Sequence, residues 1–147
     1  MITQSYLTDL TYKINGACIE VHKVLGPGLL ESVYHQCLKE ELSIRNIEFK
    51  SEFKVPVVYK EKLVDCVFFC DFLVEDLIVI ELKSVVQLAE IHRAQLINYI
   101  NLLKMPKGIL INFNVKNLYY DGQETFVNTY YEMLPKREII KILKILL

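Results

Sequence analysis

The sequence predicts an α/β fold on three observations. Two N-terminal segments repeat their apolar residues every three or four positions, which marks amphipathic helices. The middle of the chain switches to a period of two, which marks strands. A third helical segment and further strands follow, giving the order α-α-β-β-β-α-β-β-(β)-α.

From Tyr6 to Leu25, residues Leu7, Leu10, Ile14, Ala17, Val21 and Val24 form one apolar stripe, and Gly26-Pro27-Gly28 stops the helix. A second helix begins at Leu29 or Leu30 and runs to about Arg45, with Leu30, Val33, Tyr34, Cys37, Leu38 and Leu42 expected inside. After Asn46, Phe53, Val55, Val57 and Tyr59 alternate, and Lys60-Glu61-Lys62 reads as a turn into a long strand over 63–74. Glu75-Asp76 marks another turn. The strand 77–83 is so rich in Ile and Val that it belongs in the middle of a sheet. Helical spacing returns over 88–103, with Leu88, Ile91, Gln95, Tyr99 and Leu102 on one stripe, and ends at Lys104-Met105-Pro106-Lys107-Gly108. Strands are expected over 109–113 and 115–120, joined at Asn114, with an edge strand over 125–130. The tail 135–147 is basic and apolar, with a helical face too broad to stay exposed. It is expected to dock on the domain or to form a homodimer contact.

The 147 residues fit one domain, 1–147, large enough to bury roughly two-thirds of its unfolded surface. A composition 52% hydrophobic and 24% charged is that of a globular protein. Apolar runs stay shorter than the roughly 18 residues of a membrane span, and Met1–Ser5 shows no secretory pattern, so a cytoplasmic location is expected. Cys18, Cys37, Cys66 and Cys70 lie in apolar stretches without a C-x-x-C pair, which points to reduced thiols rather than zinc ligands. Seventeen Lys and Arg against eighteen Asp and Glu exclude a general electrostatic hold on nucleic acid. Any hold on phosphates is expected either from a local basic rim, at Lys13, Lys23, Lys104, Lys107 and the tail, or from a partner that supplies binding.

Polar residues inside the apolar strands carry the chemistry. Glu81 and Lys83 are two apart, so they project from one strand face with Cα atoms roughly 6.5 Å apart, while Leu82 points the other way. Asp71 interrupts the run Cys66-Val67-Phe68-Phe69-Cys70-Asp71-Phe72-Leu73-Val74, where a charge needs a partner. A two-residue turn at Glu75-Asp76 would pair Asp71 with Ile80 and put the carboxylates on opposite faces. A three-residue turn centred on Asp76 would set Asp71 opposite Glu81, with Phe69, Leu73, Leu77 and Val79 on the same side. Two carboxylates facing each other at about 5 Å repel unless a proton or cation lies between them. An all-oxygen set suits a hard cation such as Mg2+, and an adjacent lysine can hold charge on a phosphate or assist an attacking water.

Asp71 followed by Glu81-Leu82-Lys83 resembles the D-x(n)-E-x-K signature of the PD-(D/E)XK nucleases. Cys70 stands where the superfamily's name has Pro. Gly28-Leu29-Leu30-Glu31-Ser32-Val33-Tyr34 is similar to the G-x-x-E-x-x-Y motif of a family of small prokaryotic proteins in that superfamily. Gln95-Leu96-Ile97-Asn98-Tyr99 is similar to the Q-x-x-x-Y element of its RecB-like members. The resemblance implies a restriction-endonuclease-like core with a central mixed sheet flanked by helices. It further implies a nuclease or nuclease-like phosphodiesterase acting on DNA or RNA with Mg2+ or Mn2+. Asp71, Glu81, Glu31 and the Leu82 main-chain carbonyl would then serve the metal, Lys83 would be the catalytic lysine, and Gln95 would orient Lys83 or the phosphate. A catalytically silent binding or assembly module of the same fold, acting with a partner, is the competing reading.

Three further residues are candidates for the same surface. Tyr34 lies one turn after Glu31, His92 three residues before Gln95, and Tyr99 one turn after it. Each also has a purely structural reading, as does Glu31, since a carboxylate in a first helical turn is favoured by about 0.3–1 kcal/mol. His22 is left outside the site, and His35 is expected at the surface.

Overall fold

The computed structural model describes residues 1–138 and 145–147. Helix α1 (Gln4–Leu25) opens where the Thr3 hydroxyl accepts from the Tyr6 N–H at 3.0 Å and closes at Gly26, whose φ is 68°. Helix α2 (Glu31–Ile44) follows the Pro-Gly turn and packs on α1. Strand β1 (Phe49–Val55) ends at Pro56, which has no N–H for a ladder. A separate hairpin follows, β2 (Val58–Tyr59) and β3 (Lys62–Leu63), around Lys60 and Glu61, which both have positive φ. Strands β4 (Phe68–Val74) and β5 (Ile78–Lys83) form an antiparallel hairpin, and α3 (Glu90–Leu102) crosses from β5 to the parallel strand β6 (Lys107–Asn112). The short helix α4 (Leu118–Asp121) leads into the antiparallel strand β7 (Gln123–Val127), and α5 (Thr129–Glu132) follows.

The five-stranded sheet has the order β1-β4-β5-β6-β7 and is mixed, its one parallel pair being β5–β6. Its two faces bury different cores. Phe72, Ile78, Ile80 and Leu82 pack with Leu7, Ile14, Leu38 and Leu42 under α1 and α2. Leu73, Val79 and Leu110 pack with Leu96, Tyr99 and Ile100 of α3 on the opposite face. All six residues of β6 are buried, as a strand covered on both sides requires. Helix α3 approaches β6 closely at Gly108, where a Cβ would lie 2.9 Å from Leu96 and 3.0 Å from Ile100.

Several expected boundaries move. The alternation over Phe53–Tyr59 is split, Phe53–Val55 ending β1 and Val58–Tyr59 forming β2, and the long strand expected over 63–74 is interrupted at 64–67. Residues 115–120 are a loop and the start of α4 rather than a strand, because Asn117 accepts from the Tyr120 N–H at 3.0 Å and caps a helical turn. The edge strand is accordingly β7. Val24 and Leu30, expected inside, are 71% and 74% exposed. The buried stripe of α3 runs through Leu96, Tyr99 and Ile100, while Ile91 faces solvent and Gln95 lies at the stripe's edge. Leu77 packs with the α1–α2 core rather than beside Leu73 and Val79, because it lies in the turn where strand alternation has ended. Lys107 is buried in the β6 ladder between Ile78 and Val127, so it is no part of a basic rim. Its ammonium pKa is pushed down by that burial. The tail begins against α1, with the Gln4 and Ser5 N–H groups donating to the Pro135 and Lys136 carbonyls at 2.9 and 3.0 Å. The expected docking of the tail rests mainly on residues 139–144, outside the described residues.

Candidate active site

The turn between β4 and β5 decides the site's geometry. Glu75 and Asp76 both have positive φ (51° and 54°), and the Leu77 N–H closes the turn on the Val74 carbonyl at 2.9 Å. The ladder resumes at Val74↔Ile78 and runs through Leu73↔Val79 to Phe72↔Ile80, so three residues span the turn. Continued by one pair, this register sets Asp71 opposite Glu81, the alternative the metal hypothesis requires.

At that pair the main-chain ladder gives way to side chains. The Asp71 N–H donates to Glu81 Oε1 at 2.8 Å, and the Leu82 N–H donates to Asp71 Oδ2 at 2.7 Å. Carboxylates thus satisfy amides of strands that have begun to part. The neighbouring strand is bent at the same level. Glu52, opposite Asp71 in the β1–β4 register, has a φ of 52°, and Cys70 and Leu73 both belong to the α3-side core. Strict alternation therefore breaks at Asp71. Because the Leu82 N–H faces β4, and a strand residue carries its carbonyl on the same edge, the Leu82 carbonyl also opens toward this gap.

Burial and mutual repulsion dominate the electrostatics. Glu81 is 5% exposed, and burial, followed by the charge of Asp71, pushes its carboxyl up to about 8. Asp71 is raised by burial, with the Leu82 amide acting in the opposite direction. Glu31 heads α2 and is likewise raised by burial, with the Asp71 charge adding to the effect. Lys83 draws all three carboxyls back down, which places its ammonium within the field of each. Glu31 and Asp71 line a cavity of about 360 Å³ together with Ser32, His35, Gln36 and Glu52. Among the described residues no three Asp, Glu, His or Cys side chains are already gathered around a metal position. The strand carboxylates hold amides instead. Their chemistry nevertheless fits a hard divalent cation, being all oxygen, part buried and deficient in positive charge.

The other candidates divide. Tyr99 is buried on α3 with its hydroxyl pKa raised by burial and then by the Glu81, Cys70 and Asp71 charges, while hydrogen bonding by Gln95 acts against the rise. This α3 face therefore looks toward the carboxylates. Tyr34 is fully buried, stacked on Phe113 at 4.4 Å, with its hydroxyl donating to the Gly26 carbonyl at 2.6 Å and accepting from the Leu29 N–H at 3.1 Å. Those bonds hold the loop ahead of Glu31 and leave the hydroxyl engaged with main chain. His92 Nδ1 accepts from the Ala89 N–H at 3.0 Å, which ties it to the start of α3. His22, left outside the site by its sequence spacing, bonds the Val115 carbonyl at 2.7 Å.

Two residues of this region escaped the sequence reading. His35 is buried rather than at the surface, stacks on Phe72 at 4.4 Å, and places Nδ1 3.5 Å from Asp71 Oδ1. Its sequence signal was the step of four from Glu31, which sets both on one helical face. Asn112, opposite Lys83 in the β5–β6 register, accepts from the Val85 N–H at 3.1 Å and donates to the Val85 carbonyl at 3.0 Å. It clamps the chain leaving Lys83, and its signal was a single amide closing the apolar run Ile109-Leu110-Ile111.

A family model described as the PD-(D/E)XK nuclease superfamily matches residues 8–125. The chain belongs to that superfamily, and its mixed sheet with flanking helices is consistent with the restriction-endonuclease-like core. Comparison with the curated proteins and with the solved structures gives no match. No helix among the described residues is long and apolar enough to cross a membrane.

Proposed function

We propose that this chain is a nuclease that hydrolyses nucleic-acid phosphodiester bonds with Mg2+ or Mn2+ held by Asp71 and Glu81. The observation that carries the reading is the pairing of the buried Glu81 carboxylate with the half-buried Asp71 carboxylate at the point where β4 and β5 part, with Lys83 in the field of both. Glu31 and the Leu82 carbonyl are the further oxygen donors within the same region. A bound cation would neutralise the carboxylates and polarise a phosphate oxygen. Lys83 would hold the negative charge that grows on that phosphate as water adds to phosphorus and the P–O ester bond breaks. Gln95 and Tyr99, on the α3 face turned to the carboxylates, would hold the Lys83 amine or the phosphate in place.

Substrate binding must be local, because the sequence carries a formal charge of −1. Lys13, Lys23 and Lys104 are exposed and remain the candidates for a basic rim. The direct test is cleavage of single-stranded and duplex DNA and RNA with Mg2+ or Mn2+, comparing wild type with Asp71→Ala and Lys83→Ala. Wild-type cleavage with a loss of about 100-fold or more in each variant supports the proposal. Equal traces for all three proteins contradict it and favour a silent module of the nuclease fold.

A further inference from the structure

The buried histidine of α2 touches the proposed site through a different set of contacts from the carboxylates. His35 is 7% exposed, and its ring is fixed on three sides. It stacks on Phe72, the residue after Asp71, with an interplanar angle of 23°. Its Nε2 lies 2.8 Å from Ser51 Oγ on β1, and its Nδ1 faces Asp71 Oδ1 at 3.5 Å. Ser51 pairs with Phe72 in the β1–β4 register, so helix, edge strand and site strand all meet at this ring.

Hydrogen-bond chemistry orders the protons. A carboxylate only accepts, so the nitrogen facing Asp71 must carry the hydrogen for the contact to be favourable. Nε2 is then the acceptor, and the rotatable Ser51 hydroxyl is the donor that suits it. Asp71 Oδ2 is already held by the Leu82 N–H, which leaves Oδ1 as the oxygen whose direction His35 can set.

We propose that His35 is a positioning residue, which through its Nδ1–H holds the Asp71 carboxylate in the orientation required for divalent-cation binding, with Ser51 fixing the ring. This rests on the metal-site reading given above. The contact spans 3.5 Å in the metal-free chain, and a cation on Asp71 would draw it tighter, as catalytic contacts that are long in the apo state often do. Loss of a partner that orients a ligand typically weakens metal binding by about 10–100-fold.

Two side chains divide the ring's functions. Asn at position 35 can return an N–H near the Nδ1 position, whereas Gln reaches toward the Nε2 position and Ser51. Mn2+ binding to wild type, His35→Asn, His35→Gln and His35→Ala is measured by calorimetry, with circular dichroism establishing that each variant is folded. The proposal predicts Asn within a few-fold of wild type, and Gln and Ala weaker by about 10–100-fold. Gln binding as tightly as wild type, or Asn binding as weakly as Ala, overturns it. A two-bond proton–nitrogen NMR spectrum of the metal-free protein reads the ring separately. A hydrogen on Nδ1 is expected, and a hydrogen on Nε2 alone overturns the contact with Asp71. Wild type that binds no Mn2+ removes the metal reading and the positioning role together, while the ring spectrum still decides whether His35 donates to Asp71.

Discussion

Glu81 occupies a position on a central strand where every neighbour from Ile78 to Leu82 is buried and apolar. Its carboxyl, pushed up to about 8, is raised above its unfolded value, so the metal-free fold is favoured while the group keeps its proton. That contribution is complete below about pH 4.5 and is lost as pH rises through about 8. Glu81→Gln mimics the protonated acid. It should stabilise the metal-free protein by about 2 kcal/mol at pH 8.5 and change little at pH 4, as read from denaturant midpoints. Equal effects at both pH values contradict the burial argument. The same variant should lose cleavage, a gain in stability against a loss of function. Asp71, Glu81 and Lys83 were legible in the sequence because charge inside an apolar strand needs an explanation. His35 was not, because its partners Phe72 and Ser51 lie on strands that only the fold brings to α2.

At the level of elements, the turn of the β4–β5 hairpin sets the register of the candidate site. The sequence left two registers open, differing by one residue, and the left-handed conformations of Glu75 and Asp76 select the one that pairs Asp71 with Glu81. Neither residue is Gly or Asn, so the turn type was not visible in composition. Helical spacing puts Tyr34 inside, and its step from Glu31 also makes it an accessory candidate for the site. The fold buries it as that spacing predicts and commits its hydroxyl to the Gly26–Leu29 loop. Tyr34→Phe keeps the ring stacked on Phe113 and removes both hydrogen bonds, and should cost about 1–2 kcal/mol in chemical unfolding. Helix α3 depends in the same way on the bare backbone of Gly108. Gly108→Ala should cost about 1–3 kcal/mol by forcing Leu96 and Ile100 away from β6, with the Tyr99 face displaced as a result. A thermal melt at wild-type temperature would contradict that close packing. Residues 115–120 were misread as a strand because the capping role of Asn117 outweighs the β-propensity of the residues around it.

Across the whole molecule, charge and stability meet at one place. With a net charge of −1, the protein cannot rely on general attraction to phosphates, so nucleic-acid affinity should fall only gently with salt. A logarithmic slope shallower than about −4 is expected by filter or fluorescence binding, against the steep dependence of a strongly basic binder. A cation that binds only the folded chain should raise stability by about 2.7 kcal/mol at a hundredfold excess over its dissociation constant. The layered α/β arrangement was legible from periodicity alone, whereas the separation of β4 from β5 was not, since it depends on side chains replacing a ladder. A divalent cation held in that gap by Asp71 and Glu81 is what the proposed function rests on, and diffraction from crystals soaked in MnCl2, recorded for anomalous scattering, checks it. One ordered Mn2+ is expected about 2.1 Å from oxygens of Asp71 and Glu81, with the Leu82 carbonyl turned to it. Crystals in which Mn2+ is absent from the gap, with Asp71 still holding the Leu82 amide and Glu81 the Asp71 amide, would contradict it.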